Sequence, residues 1–216
     1  MDRPNFHDSN NDNGVFVDTL LVHFNLPLQP NQISHFRGAV AASAGWRESL
    51  FHNHAEPVDK GVEYRYPLIH YRSRRKKAMI WAMEDGVAGV RDWISRIDLQ
   101  QFKMNGDAAP LQIENIRQER YSLSMSPTMR TYRLMDWVAL NQDNYAEWRN
   151  TYRLTERIAQ LDKILCGQLL GFATACKYRL PHRLNAHLMH LRSARTEKIH
   201  EGTRLVFNVL FQTNLD

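Results

Sequence analysis

Two histidines, His52 and His54, flank a single asparagine in the segment SLFHNHAE, which spans residues 49–56. In an extended segment this spacing places both imidazoles on the same side of the chain. Two imidazoles can bind zinc, but a zinc site needs further ligands, and only Glu56 and Asp59 lie close in sequence. A histidine pair can instead transfer protons, because the histidine pKa lies near neutral pH. We therefore interpret it as a proton-transfer pair and predict no metal and no cofactor; two surface histidines without a role remain the alternative.

Cleavage of RNA without a metal ion is a reaction that suits such a pair. One group removes the proton of the ribose 2′-hydroxyl, and a second group protonates the departing 5′-oxygen. The reaction also needs positive charge beside the phosphate, and the guanidinium group of arginine matches phosphate oxygens. The nearby cations are Arg37, Arg47, Lys60 and Arg65, and the nearby tyrosines, which stack on bases or donate hydrogen bonds, are Tyr64, Tyr66 and Tyr71.

Two further segments are rich in cations. The first is a predicted turn between two strands and contains Arg72, Arg74, Arg75, Lys76 and Lys77. It is either a solvated turn or a clamp on a nucleic-acid backbone, and the aromatic residues before it favour the clamp. The second contains His182, Arg183, His187, His190, Arg192 and Arg195. In a strand, Arg183 would share a face with His187, and Arg192 with His190, so this segment is either a phosphate-tracking groove or a charged edge strand.

The composition narrows the class of protein. The chain has 216 residues, 43% of them apolar, a net charge of +5 and a pI of about 9.3, which favours a polyanionic partner. No apolar run is long enough to span a membrane, and the first residues lack the apolar core of a signal peptide, so we expect a cytoplasmic protein. The sequence also lacks a Walker loop, a dinucleotide-binding glycine pattern and an H-E-x-x-H zinc motif.

The elements that must position these residues follow the order strand, helix, strand, strand, helix, strand. Composition and periodicity predict the strands over residues 15–28, 64–71, 78–83 and 111–124, and the helices over residues 31–45 and 84–97. Asn31 is the predicted cap of the first helix, and Gly45 its predicted end. This order is typical of a ferredoxin-like sandwich, in which two helices cover one face of an antiparallel sheet and leave the other face open.

The second half of the chain begins the same series again. A strand over residues 129–140 precedes one long helix with apolar spacing from Tyr145 to Phe172, capped near Asn141, and two strands follow over residues 182–192 and 203–214. The predicted fold class is therefore α+β, with tandem ferredoxin-like (RRM-like) units of which the second is incomplete. The predicted division is a disordered tail over residues 1–14, a first unit over residues 15–126 and a second unit over residues 127–216.

Several motifs taken together resemble a known family. The segments HFRGAVAASAGWRESLFHNH (residues 35–54) and YRYPLIHYRSRRKKAMIWAMEDGV (residues 64–87) are similar to the CRISPR-associated endoribonucleases that cut precursor repeat RNA, in the branch with F-R-G, L-F-H-N-H and Y-P-L-I-x-Y motifs. Residues 137–173 and the segment FNVLFQTN (residues 207–214) resemble the C-terminal half of the same branch.

The resemblance implies metal-independent cleavage of CRISPR repeat RNA, with a 2′,3′-cyclic phosphate or 3′-phosphate and a 5′-hydroxyl as product ends. It implies that His52 and His54 are catalytic, assisted by a tyrosine, Tyr64 or Tyr66, and by a basic residue, Arg47. The predicted RNA-binding residues are Arg37, Arg65, Arg72, Arg74, Arg75, Lys76, Lys77, Arg183 and Arg192. A CRISPR effector complex and a second copy of the chain are further candidate partners, and no membrane partner is expected.

The family ordinarily continues past the FQTN strand into a glycine-rich loop that grips RNA through backbone amides. This sequence stops at Asp216. We therefore keep two alternatives to the enzyme: a weak or inactive RNA-binding module of the same fold, and a basic scaffold for protein partners.

Overall fold

The computed structural model describes residues 14–45, 50–51, 66–199 and 202–216. The predicted tail, apart from Gly14, lies outside these ranges. None of the helices in the described ranges is long and apolar enough to cross a membrane.

The first unit is a four-stranded antiparallel sheet with two helices. Its elements are β1 (Val15–Pro27), α1 (Ile33–Ala44), β2 (Ile69–Arg74), β3 (Lys77–Met83), α2 (Asp85–Arg96), the two-residue strands β4 (Lys103–Met104) and β5 (Asp107–Ala108), and β6 (Ile113–Leu123). The sheet order is β2-β3-β1-β6, and each neighbouring pair is antiparallel. This is the predicted ferredoxin-like arrangement.

Alternation along β1 explains which face carries the core. Leu20, Val22 and Phe24 are buried against the helices, whereas Leu21 and His23 between them lie on the opposite face. The ring of Phe24 packs 6.1 Å from Phe36 of α1 and 6.2 Å from Trp93 of α2. The helices thus close one face of the sheet, and the open face is left for other contacts.

The second unit repeats the first half of this plan. Its elements are β7 (Met125–Trp137), α3 (Gln142–Asn150), α4 (Leu154–Ala175), β8 (Ala186–Ile199) and β9 (Gly202–Leu215), with sheet order β7-β9-β8. Leu161 and Leu165 of α4 pack against Phe207 and Val209 of β9. The described part of this unit has no counterpart of a second helix and a fourth strand, as predicted.

The end of α4 joins the two units. Ala173 and Cys176 from this end pack with Val17 and Met83, which lie on the open face of the first sheet. The second unit therefore covers one end of that open face, while the hairpin end of the same face carries exposed cations.

Several boundaries differ from the sequence prediction; strand β8, for example, runs over Ala186–Ile199, where a strand over residues 182–192 was predicted. The first predicted cap, Asn31, lies inside a one-turn 3₁₀ helix, at whose start the backbone N–H of Gln29 donates to the side-chain oxygen of Gln32 at 2.9 Å, although α1 does end at Gly45 as predicted. Strand β2 starts only at Ile69 and includes the first half of the predicted turn over residues 72–77. Arg75 and Lys76 alone form a two-residue turn, with φ of 52° and 60°.

The predicted long helix is two helices. The chain is extended at Thr151 and Arg153, which separates α3 from α4. The side chain of Arg157 donates hydrogen bonds to the carbonyls of Thr151 and Arg149 at 2.6 and 3.2 Å. These bonds satisfy carbonyls at the end of α3 and stabilise the break. Asn141 caps α3, as predicted, by accepting a hydrogen bond from the backbone of Asn144.

Candidate functional site

Five predicted site residues lie outside the described residues: His52, His54, Arg47, Tyr64 and Arg65. Their roles stay predictions. The described chain nevertheless fixes the residues on both sides of the histidine segment. Phe51, the neighbour of His52, is 2% exposed and packs 6.4 Å from the ring of Trp93.

Tyr66 is the predicted site residue at the other end of this segment. Its ring lies 5.4 Å from Phe172 of α4 and 5.6 Å from His70 of β2. Burial raises the pKa of its phenol, although the charge of Arg72 works in the opposite direction. Tyr66 therefore stays protonated at neutral pH and can donate a hydrogen bond, but it is a poor proton acceptor.

A concave surface of about 390 Å³, here named the hairpin groove, lies on the open face of the first sheet. Its walls include Arg74, Arg75, Lys77, His23 and Arg117. Cross-strand pairing produces this cluster, because Arg74 pairs with Lys77, and Leu21, beside His23, pairs with Arg117. The hairpin cations were predicted from their clustering in the sequence, whereas His23 and Arg117 were not predicted.

The groove is positive but not uniformly so. Lys77 forms an ion pair with Glu114, which also lines the groove, and Arg117 forms one with Glu119 at 2.9 Å. Hydrogen bonds from Tyr121 and Arg117 lower the pKa of Glu119, so this carboxylate is ionised at neutral pH. These pairs are exposed, and polyanionic phosphates can compete for the same cations.

The remaining hairpin cations occupy different positions. Arg72 stacks over the indole of Trp81, with its guanidinium carbon 5.3 Å from the ring centroid. Lys76 lies in the turn, where its backbone carbonyl accepts a hydrogen bond from Leu28. The structure thus brings Arg74, Arg75 and Lys77 together in the groove, and Arg72 lies beside them on an aromatic surface.

A second concavity of about 410 Å³, here named the inter-unit cavity, lies where the two units meet. The first unit contributes Arg37, His70 and Tyr71 to its wall, and the second contributes Asp136 and Glu197. Arg37 is therefore separate from the hairpin groove. No local sequence pattern predicts this site, because these residues come from α1, β2, β7 and β8.

His70 and Tyr71 both line this cavity, and burial shifts the pKa of each, downwards for His70 and upwards for Tyr71. The ring of His70 packs 5.3 Å from Trp81 and 5.6 Å from Tyr66. Burial lowers the pKa of His70 to about 4, the charge of Arg72 adds to this, and a hydrogen bond to the backbone of Pro67 opposes it. The imidazole is therefore neutral at physiological pH.

The basic residues predicted in the second unit are not brought together. Arg183 precedes β8 and lies in the loop after α4, so the expectation that it shares a strand face with His187 is wrong. Arg192 falls at a β-bulge between the paired residues Leu191 and Ser193, which breaks its alternation with His190. Both arginines are exposed, and neither lines the groove or the cavity.

Metal-ligating side chains do not cluster in the described ranges: no three His, Cys, Asp or Glu side chains there lie together. His52 and His54 are outside those ranges, so this finding leaves their role untested.

Comparison with known proteins identifies relatives for both halves. The family model of the Cas6b N-terminal domain matches residues 16–122, and that of the Cas6b C-terminal domain matches residues 124–216. None of the curated proteins matches the chain in sequence.

Solved structures show the same fold. One described as the crystal structure of Cas6b has a TM-score of 0.76 at 18% identity, covering 94% of this chain and 90% of the other. A CRISPR RNA processing endoribonuclease Cas6b gives 0.68 at 16% identity, covering 94% and 89%. Csf5, a CRISPR-Cas type IV Cas6 crRNA endonuclease, gives 0.51 at 17% identity, covering 92% and 91%.

Proposed function

The chain belongs to the Cas6b family, and from this premise we propose that it is an endoribonuclease that cuts CRISPR precursor repeat RNA into guide RNAs. The observation that carries the proposal is the match of both halves to Cas6b domains. The proposed reaction is metal-independent, because the sequence around His52 and His54 lacks a further ligand set but has the groups for proton transfer.

The two histidines divide the proton transfers between them. One imidazole removes the 2′-hydroxyl proton, the 2′-oxygen attacks phosphorus, and the other imidazole protonates the 5′-oxygen as its bond to phosphorus breaks. The products are a 2′,3′-cyclic phosphate and a 5′-hydroxyl. Arg47 stabilises the charge on the phosphate, and Tyr64 or Tyr66 donates a hydrogen bond.

The protonated state of Tyr66 fits such a donor role. Burial raises the pKa of its phenol, and its ring is held between Phe172 and His70. The contact with Phe172 also links this side chain to α4 of the second unit. Packing between the two units therefore holds the side chain of Tyr66, which lies at the edge of the proposed site.

RNA affinity comes mainly from the hairpin groove. Four cations lie on this surface: Arg74, Arg75, Lys77 and Arg117. Each phosphate that such a cation neutralises releases a counterion, which favours binding. The partner is repeat RNA in the cytoplasm, alone or within an effector complex, and a second copy of the chain is a further candidate partner.

A cleavage assay in EDTA tests this proposal. The native protein should cut repeat RNA from its own genome at an unchanged rate in EDTA. A His52→Ala, His54→Ala double variant should lose at least about 100-fold in rate while still binding the RNA. His35→Ala is the matched control, because His35 is an exposed histidine of α1, and this variant should cut normally.

Three results would contradict the proposal. Loss of cleavage in EDTA would show that a metal is needed, and full activity of the double variant would remove the histidines from the mechanism. Tight, salt-sensitive binding with intact RNA would favour an RNA-binding module that does not cut.

A further inference from the structure

The outer strands of the two large sheets differ in how well another strand can pair with them. In the described part of the chain, these strands are β2 and β6 in the first sheet and β7 and β8 in the second. Proteins usually block such edges with short strands, prolines or bulges. Strand β2 has only six residues, β7 contains Pro127 and two register shifts, and β8 contains two register shifts. These three edges are therefore poor templates for an added strand.

Strand β6 lacks these protections over most of its length. It pairs with β1 through nine consecutive residues, from Asn115 to Leu123, without a register shift, and this run contains no proline or glycine. Its side chains are mostly exposed, among them Ile116 at 51% and Tyr121 at 50%. A long, regular and exposed edge of this kind is suited to pairing with a further strand.

The charges of β6 have both signs. Arg117 and Glu119 lie on the open face and form an ion pair at 2.9 Å, whereas Arg120 lies on the other face and binds Asp18 at 2.7 Å. A row of like charges along an edge would repel a second copy of the same strand. A strand that carries both signs can instead lie opposite its own sequence running in the reverse direction.

Symmetry limits the registers in which two copies of β6 can pair. A twofold axis perpendicular to the sheet makes the two strands antiparallel and keeps every side chain on its own face. The axis must pass through a residue position, because an axis between two residues would oppose side chains that point to different faces. Within residues 115–123, only an axis at Gln118 places opposite charges across from each other, namely Arg117 and Glu119. An axis at Arg117, Glu119 or Arg120 would place that charge opposite its own copy.

We propose that β6 pairs with β6 of a second copy of the chain about a twofold axis at Gln118. Residues 115–121 of both copies then form an antiparallel ladder. Arg117 lies opposite the partner's Glu119, and symmetry repeats this contact on the other side of the axis. The inference goes beyond the proposed function, because it concerns the assembly of the chain and holds whether or not RNA is cut.

The same register covers exposed apolar side chains. Ile116 lies opposite the partner's Arg120, whose aliphatic stem covers it, and Tyr121 lies opposite the partner's Asn115. The two four-stranded sheets become one sheet of eight strands, and their open faces point the same way. Both hairpin grooves therefore lie on one surface, with Arg117 of each copy near the axis.

Sedimentation equilibrium of the full chain without RNA tests this assembly. The native protein should be a dimer at micromolar concentration. Arg117→Glu places like charges across from each other at both symmetry-related positions and should weaken dimerisation at least about tenfold. Adding Glu119→Arg to this variant opposes unlike charges again and should restore the dimer.

The matched control is Lys103→Glu, which makes the same change in net charge at an exposed residue of β4. It should leave the dimer unchanged. Circular dichroism of each variant shows whether the chain is folded, so that a loss of the dimer is not mistaken for unfolding.

Cysteine crosslinking tests the register. Opposed residues of an antiparallel ladder have Cα atoms about 4.5–5.5 Å apart, which permits a disulfide. Gln118→Cys should therefore form a covalent dimer with oxidised glutathione, because position 118 lies opposite its own copy. Arg120→Cys should not, because its own copy lies four residues along the partner strand, about 14 Å away.

Three results would overturn the interface. The first is a native protein that stays monomeric at every concentration, which would mean that the charges of β6 protect its edge. The second is a dimer that Arg117→Glu leaves intact, and the third is equal crosslinking of the two cysteine variants. Cleavage of repeat RNA by a monomer would remove the interface and leave the proposed function standing.

Discussion

The hairpin groove and the inter-unit cavity have similar volumes, about 390 and 410 Å³, but opposite chemistry. The groove lies on an exposed sheet surface, and four of its side chains are the cations Arg74, Arg75, Lys77 and Arg117. The cavity combines the carboxylates of Asp136 and Glu197 with the guanidinium group of Arg37. Exposed cations attract any phosphate, whereas the carboxylates in the wall of the cavity repel one.

This difference assigns the binding of phosphates to the groove. Contacts to phosphates provide affinity and depend strongly on salt, but they carry little sequence information. Hydrogen bonds to base edges provide discrimination. We therefore expect the groove, and not the cavity, to determine how tightly RNA binds.

The largest loss of stability should come from a residue that lies in neither the groove nor the cavity. Phe51 precedes His52 in the sequence, and its buried ring packs on Trp93. Phe51→Ala removes this ring and should therefore lower the free energy of unfolding by about 3–5 kcal/mol. Urea denaturation measures this change. At a temperature where the variant is folded, cleavage should fall while the salt dependence of RNA binding persists.

Phe51→Leu is the control for that comparison, because it keeps most of the buried volume and should cost less. Equal losses of cleavage and of salt-dependent binding in Phe51→Ala would mean that this core residue supports both functions alike.

Removing the charges of the groove should have the next largest effect. Replacing Arg74, Arg75, Lys77 and Arg117 by Gln should weaken RNA binding by roughly 100- to 1,000-fold near 0.1 M salt and reduce the slope of log K against log salt by about 3. Binding measured at several salt concentrations provides both quantities.

A variant with the same change in net charge elsewhere controls for long-range attraction. It replaces the exposed residues Lys103, Arg149, Lys163 and Arg179, none of which lines the groove. If both quadruple variants lose the same slope, the groove is not the RNA surface.

His70, which lines the cavity, should instead make the stability of the fold depend on pH. His70 has a pKa of about 4 in the folded protein and about 6.5 when unfolded, so the unfolded chain binds its proton more readily. Burial of neutral His70 contributes its full stabilisation of the folded state above pH 6.5. This contribution decreases as the pH falls towards 4, by up to about 3 kcal/mol.

Denaturation between pH 7 and pH 4 measures this slope. His70→Gln should flatten it over that window. An identical slope in His70→Gln and the native protein would mean that His70 is not buried in its neutral form.

The smallest effect concerns Arg72, which lies between the two regions. Arg72→Gln should reduce stability by only about 0.5–1 kcal/mol, because the stacking on Trp81 is exposed to water. It should also change the salt slope less than Arg74→Gln does. A larger slope change for Arg72→Gln would place it among the phosphate-binding cations.

Local patterns in the sequence predict much of this fold. The alternation in β1 and the helical spacing of Val87, Val90 and Trp93 in α2 are strong signals, and both elements form as predicted. The order of elements then limits the topology to a ferredoxin-like unit followed by an incomplete one.

The observed structure differs from the prediction where a long side chain or a positive φ takes the place of the usual glycine, asparagine or proline. The turn at Arg75 and Lys76 has positive φ without glycine or asparagine. The break between α3 and α4 contains no proline or glycine, and its carbonyls bind the side chain of Arg157. Neither feature has a local sequence signature.

The candidate sites likewise contain some residues that local sequence predicts and others that only the fold brings together. The hairpin cations are adjacent in sequence and could be predicted, but Arg117 joins them only through strand pairing with β1. His70, Asp136 and Glu197 meet because two units pack together. A site that depends on packing between distant segments leaves no spacing rule to detect.

The ends of the RNA products test the central claim most directly. Native protein is incubated with repeat RNA from its own genome in EDTA, and the masses of both fragments are determined. Our account predicts a 2′,3′-cyclic phosphate or 3′-phosphate on the upstream fragment and a 5′-hydroxyl on the downstream fragment. A 3′-hydroxyl with a 5′-phosphate, or RNA that stays intact, would contradict it.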